Sequence, residues 1–340
     1  MLKRISAALV ALSAASLALT AAISPAHADP AATSGLYGRA DATYDGVFRQ
    51  SLAILGLVAN DVKPGKAAIT WLLKQQCADG SFEGYRADTS KACGVSDPAN
   101  YTGPDTNSTA LALSALMAVN QDSSADAAGN WLTKNQNKDG GWPLYIGGNS
   151  DANSTGLVLA AIKLANSPSS SIKIRKGEKY LTTIKLSCAS GGGLAYQKPG
   201  PANPSATAQA FIGLTGGLEV DAKKLQGNPI CGTNTVSNAG SYLANSVTKS
   251  GALPNSFGEG FDYTSTAFAI LGFVANSNGN QAVTKGTAAL VTNASSYAMP
   301  AGVANPGALG LLLLVSNATS KKPTNFGGIN LITALQQSQQ

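Results

Sequence analysis

Histidine is all but missing from this chain: among 340 residues there is one, His27, near the N-terminus. Charged residues make up 12%, about half the share of an average globular protein, and just four of them are glutamates. These scarcities exclude whole classes of chemistry. If the N-terminal segment that carries His27 is removed, no imidazole is left for a His-based zinc site or a Ser/His nucleophile pair. A glycosidase needs two facing carboxyls, and no glutamate lies in a segment that reads as an interior helix. The formal charge of +6 comes without Lys/Arg clusters interleaved with aromatics, so nucleic acid is not an expected partner. Lys173, Arg175, Lys176 and Lys179 recur at helical spacing and read as a solvated face. No cofactor and no metal site are expected.

What the chain has in quantity is small and apolar. Lys3 and Arg4 precede an alanine-rich run from Ala7 to Ile23, and Ala26-His27-Ala28 fits a small-x-small cleavage site. Residues 1–28 therefore read as a secretory signal peptide. Cleavage after Ala28 removes His27 and leaves residues 29–340 as a single extracellular domain. The run Leu311 to Leu314 is too short to cross a bilayer, so no membrane span is expected in the mature chain. Four cysteines in an oxidising compartment imply two bridges, with three connectivities open. Cys77–Cys93 and Cys188–Cys231 are favoured: Cys77 and Cys188 each close a helical segment, and their partners lie in the following loops.

A two-part phrase repeats down the chain. Trp71-Leu72, then Asp79-Gly80-Ser81-Phe82, leads to Asp105-Thr106-Asn107-Ser108-Thr109-Ala110; Trp131-Leu132, then Asp139-Gly140-Gly141-Trp142, leads to Asp151-Ala152-Asn153-Ser154-Thr155. Such periods mark units that bury their apolar faces only against neighbours. Apolar spacing gives two helix types. Amphipathic segments span 66–77, 125–136, 172–186, 238–248 and 281–295, with a short one at 330–337. Segments apolar nearly all round span 50–59, 108–119, 154–165, 205–214, 264–275 and 305–315. Six interior and six outer helices close a double ring, so the expected fold is all-α, an (α/α)6 toroid.

The outer-helix ends Gln76 to Phe82 and Gln136 to Trp142, each followed by an Asp-led interior helix, resemble the Gln-Trp repeats of the terpenoid-cyclase and protein-prenyltransferase α/α-toroid superfamily. Three weaker copies centre on Tyr180, Tyr242 and Ala289. In that superfamily the protonating cyclases open an interior helix with Asp-x-Asp-Asp-Thr-Ala, whose middle carboxyl is the acid. Here Asp105 and Thr109-Ala110 match, whereas Asn107 and Ser108 stand at the two acidic places; Asp151 and Asn153 repeat the pattern. An amide cannot deliver that proton. The zinc ligands of the prenyltransferases have no counterpart either.

Interior helices of a toroid run parallel, so their N-termini share one mouth. Tyr44, Tyr101, Trp142, Tyr145, Tyr196 and Tyr263, with Asp262, are the residues expected to bind a ligand there. The first expectation is an exported protein, more binder than enzyme, holding an apolar or mixed small molecule in a central cavity. The alternatives are an active cyclase or prenyltransferase-like enzyme using Asp105 or Asp151 as a relocated acid, and a polysaccharide lyase or glycosidase.

Overall fold

The computed structural model describes residues 34–165, 170–256 and 258–340; the expected signal peptide and cleavage point lie outside the described residues. In chain order the helices are α1 (Gly46–Val58), α2 (Lys66–Gln75), α3 (Thr106–Ala118), α4 (Asp122–Lys134), α5 (Ala152–Ala165), α6 (Ser171–Thr183) and α7 (Pro204–Thr215). They continue with α8 (Thr235–Ser250), α9 (Tyr263–Ala275), α10 (Asn280–Thr292), the short α11 (Ala294–Ala298), α12 (Pro306–Ala318) and α13 (Leu331–Gln337). Among the described residues β-structure is slight: Leu253–Pro254 pairs antiparallel with Phe261–Asp262, and single bridges tie other turns. The architecture is the expected all-α toroid.

α1, α3, α5, α7, α9 and α12 form the inner ring. Each packs on the next, and α12 returns to α1, so the ring is closed. Their residues are buried on nearly every side; in α9 all ten from Ser265 to Val274 are. Outer helices bury one stripe instead, as α2 does with Ala68, Trp71, Leu72 and Gln75, the i, i+3, i+4, i+7 pattern of a half-wet helix. The chain ends also meet: Gln340 N–H donates to Leu36 O at 2.9 Å, and Gly35 N–H donates to Gln340 O at 2.8 Å.

The repeated phrase has a mechanical role. Gln76 Nε2 donates to Gly80 O at 3.1 Å and to Ser124 O of α4 at 2.8 Å. Gln136 Nε2 does the same to Gly140 O at 2.7 Å and Lys173 O of α6 at 2.8 Å. One amide thus closes a turn and clamps the next outer helix. Gly140 must be glycine: its φ is +94° and an added Cβ would lie 2.6 Å from Lys176 O. Both expected disulfides are present, Cys77–Cys93 and Cys188–Cys231, and no free cysteine remains among the described residues.

The two openings of the ring differ. At the C-terminal ends of the inner helices, the connection between α7 and α8 runs across the opening. Asn317 Nδ2 of α12 donates to Val220 O at 3.3 Å, Lys223 Nζ donates to Ala275 O of α9 at 3.3 Å, and Gln226 N–H donates to Ser277 O at 3.0 Å. Leu218 of the same segment is buried in the core. The opposite mouth, where the inner helices begin, carries no comparable crossing segment among the described residues.

Candidate binding site at the mouth of the ring

The mouth is organised by how each inner helix starts. Asp105, Asp151 and Asp262 are N-caps, accepting the Ser108, Ser154 and Ser265 N–H groups at 2.7, 2.7 and 2.8 Å. Asn203 and Asn305 cap α7 and α12 in the same way, accepting from Ala206 N–H at 2.8 Å and Ala308 N–H at 3.2 Å. Side-chain oxygen at this position satisfies a first-turn N–H, and Asn and Asp serve equally well. Four residues after each cap of α3, α5, α7 and α9 stands a threonine. Thr109, Thr155, Thr207 and Thr266 Oγ1 accept the N–H of Phe82, Trp142, Leu194 and Leu253 at 3.0, 2.9, 3.0 and 2.9 Å. In α1, Gln50 Oε1 takes that role toward Tyr37 N–H at 2.8 Å.

This register identifies the side facing the axis. Successive helical residues are about 100° apart, so the residue two before each outward threonine points the opposite way. Those positions are Asn107, Asn153, Ser205 and Thr264, with Phe48 in α1 and, counted from the Asn305 cap, Gly307 in α12. All six are half-buried. One turn deeper come Leu52, Leu111, Leu157, Gln209, Phe268 and Leu311, of which only Gln209 retains intermediate exposure. Where the central cavity is expected, these positions outline a shallow cup, polar at the rim and apolar one turn deeper apart from Gln209. Close helix approach explains the filling: an added Cβ on Gly56 would lie 2.5 Å from Gly310 O, and one on Gly213 would lie 2.3 Å from Gly156 O. Two oxygens at the cup, Asn107 Oδ1 and Gln209 Oε1, are buried without a hydrogen-bond partner.

Burial raises both cap carboxyls, Asp105 to about 6 and Asp151 to about 7, against the lowering effect of their cap hydrogen bonds. Asp105 is 5% exposed and Asp151 2%. Desolvation disfavours the charged form, so both carboxyls take up a proton at higher pH than an exposed aspartate does.

The tyrosines gather on one side of this rim. Tyr145 OH donates to Tyr101 O at 2.9 Å, and the two rings meet edge-on at 6.1 Å. Burial raises the Tyr145 phenol, with Asp105, Glu83 and Tyr44 adding to the effect, and burial raises Tyr196, with Asp151 and Tyr101 adding. Tyr44 is the most exposed of the group. Tyr263 lies across the ring on α9, tilted against Tyr297 at 5.7 Å. Trp142 is not part of the site: it is fully buried and its indole N–H donates to Leu132 O at 2.7 Å. Its place in the repeat is a packing role. Arg49 is likewise committed, bonding Asp41 O, Ala40 O and the Asp45 carboxylate. The Cys77, Glu83 and Cys93 ligand atoms cluster within 4.8 Å, but both sulfurs are spent in the disulfide.

Sequence reasoning misses Phe48, Ser205, Gln209, Thr264 and Tyr297. The first four carry no motif of their own; counting two residues back from each repeated threonine, or one turn further, would find them. Tyr297, whose OH pairs with Thr264 Oγ1 at 2.9 Å, follows a degraded repeat and leaves no usable signal.

Comparison with known proteins agrees with this architecture. Residues 48–215 match the family model of the prenyltransferase alpha-alpha toroid domain. Among solved structures, the chain is similar to a type II terpene cyclase from Scytonema in complex with merosterolic acid A, at 16% identity and a TM-score of 0.53, covering 85% of this chain and 82% of that one. A protein from Actinoplanes matches at 16% identity and a TM-score of 0.49, over 85% and 79% of the two chains. The ent-copalyl diphosphate synthase from Streptomyces platensis matches at 13% identity and a TM-score of 0.32, over 81% of this chain and 50% of its own. No curated protein matches. Over residues 48–215 the chain carries the prenyltransferase alpha-alpha toroid domain, and with the α-helical double ring this supports the terpenoid cyclase/prenyltransferase α/α-toroid superfamily.

Proposed function

We propose that this is an exported binding protein, one domain over residues 29–340, that holds a mixed small molecule at the mouth of its ring and carries out no cyclisation. The observation that carries the reading is at the axis. Where a protonating cyclase would present its acid, Asn107 presents an amide, and the neighbouring carboxyl of Asp105 is occupied in capping α3. The cup's apolar floor suits a hydrocarbon body. The two unpartnered carbonyls, Asn107 Oδ1 and Gln209 Oε1, call for a hydroxyl or N–H donor on the ligand, because a buried acceptor left unpaired is costly. Tyr101, Tyr145, Tyr196 and Tyr263, with Asp262, would form its walls, and Tyr44 would be free to fold over it. Two disulfides and the absence, among the described residues, of any helix long and apolar enough to cross a membrane are compatible with export after cleavage behind Ala28. The test is native mass spectrometry of protein secreted into culture medium, followed by titration with farnesol. A bound species lost in Asn107→Leu supports the reading; an empty mouth that also takes up no farnesol overturns it.

One observation favours a second reading. A carboxyl whose pKa burial raises to about 7, as it does for Asp151, is what a relocated acid would require. Incubation with squalene or polyprenyl diphosphates decides this: product from the wild type that disappears in Asp151→Asn would establish the enzyme.

A further inference from the structure

A second cleft lies outside the ring. It has a volume of about 440 Å³ and sits between the turn Asn137–Ser150, the end of α6 and the loop that holds Gln197 and Lys198. One of its wall residues differs between repeats. In the first repeat Trp131 meets the turn, its indole N–H donating to Asp79 Oδ2 at 3.0 Å. In the next, Tyr180 stands in its place and donates its hydroxyl to Ser150 O at 2.6 Å. Asp139 uses Oδ1 for Gly141 N–H and Ser150 Oγ, at 3.0 and 2.8 Å, and its Oδ2 receives no such indole donor. The lining is almost wholly hydrogen-bonding: Asn137, Asp139, Asn149, Thr183, Gln197 and Lys198, with Tyr180 and Ile184 as the apolar wall.

Charge adds a second, independent observation. Between residues 134 and 198 there are nine basic and three acidic residues, a net charge of +6 that equals that of the entire chain, and one of the acids, Asp151, is buried. Lys176, Tyr180 and Thr183 fall on one face of α6, which therefore runs from exposed basic residues straight into the cleft. Lys198 is exposed at its other side, its Nζ 3.3 Å from Thr183 O.

We propose that this cleft binds one residue of an anionic polysaccharide, with the chain continuing over the basic face of α6. Sugar hydroxyls would donate to Asp139 Oδ2 and to the amide oxygens of Asn149 and Gln197, the ring would lie against Tyr180, and a uronate carboxylate would meet Lys198. The site is separate from the mouth and does not depend on the reading given to it.

The test is binding of the full chain to polygalacturonate, dextran and polyglutamate by calorimetry at two salt concentrations. Polygalacturonate alone should bind, weakening at least tenfold between about 50 and 500 mM salt. The pair Asn149→Ala and Lys198→Ala should weaken it tenfold or more, and Lys176→Glu with Lys179→Glu should also weaken it and flatten the salt dependence. Lys321→Ala with Lys322→Ala, equally basic but remote in sequence, should leave it unchanged. Equal binding of polyglutamate would reduce the face to unselective charge, equal binding of dextran would remove the role of the acid group, and either overturns the proposal. So would absence of binding, or binding indifferent to the cleft variants. All substituted side chains are partly or fully exposed, so loss of binding without loss of helical circular dichroism reports on the site.

Discussion

Gly56 and Gly310 bring α1 and α12 together backbone against backbone: an ideal Cβ on Gly310 would stand 2.3 Å from Leu52 O, and one on Gly56 would stand 2.5 Å from Gly310 O. This contact joins the first inner helix to the last, so the closure of the ring rests on two missing methyl groups. Gly156 and Gly213 make the matching contact between α5 and α7. Substituting Gly310 by Ala should destabilise the protein by about 1–3 kcal/mol through overpacking, whereas Ala is the better helix former at an open position. Urea unfolding of Gly310→Ala measures this, with Gly129→Ala as the uncrowded comparison; equal stability of both variants would show that the ring can spread without cost.

The cap carboxyls predict an inverted pH dependence. Asp105 and Asp151 hold their protons more tightly folded, near 6 and 7, than unfolded, near 3.9. The stability they contribute is complete below about pH 4 and is lost as pH rises through those folded values. Asp151→Asn keeps the cap, as Asn203 does for α7, and removes the titration. It should therefore be more stable than wild type at pH 8, on the order of 1–3 kcal/mol, with no gain at pH 4. Thermal melts at the two pH values check this, and a variant weaker at pH 8 would mean that the carboxylate form is the one the fold requires.

Thr155 should matter more than its size suggests. Its Oγ1 accepts Trp142 N–H at 2.9 Å in a fully buried setting, so Thr155→Val leaves a donor unpaired at constant volume. A loss of about 1–3 kcal/mol is expected. Melting of the variant reads it directly, and a neutral result would indicate that water or a shifted backbone reaches that N–H.

At the cup, stability and binding should oppose each other. Asn107 Oδ1 is buried without a hydrogen-bond partner. Replacing Asn107 by Leu should raise stability by about 1 kcal/mol while abolishing ligand uptake. Destabilisation of this variant would mean the amide is structural.

Reduction separates the two bridges. The Cys77–Cys93 loop spans 16 residues and the Cys188–Cys231 loop 43, worth about 3 and 4 kcal/mol in the chain-entropy model. Double Cys→Ala variants of each pair should lower the denaturation midpoint in that order, the longer loop costing more. The reverse order would mean that native contacts beside the shorter loop, such as those of Arg86 with Lys74 O, Gln75 O and Gln76 O, outweigh loop entropy.

Much of this molecule follows from pattern alone. Period and apolar spacing suffice for helix type and number, because a helix buried all round and one buried on a stripe demand different compositions. Loop position favours the disulfide partners that form, Cys77–Cys93 and Cys188–Cys231. The Asp that leads each repeated inner helix stands at its start, where Asp105 and Asp151 accept an N–H three residues on, because capping is a local interaction. What sequence could not decide was whether the ring is hollow. That depends on whether Gly56 finds Gly310 and Gly156 finds Gly213, contacts between residues 254 and 57 positions apart, and no local rule says which glycines will face one another. Nor could it tell that Trp142 turns inward to Leu132 O while Tyr180, standing where the preceding repeat has a tryptophan, lines a cleft. The helices were written in the chain; the space between them was settled only when non-local surfaces met.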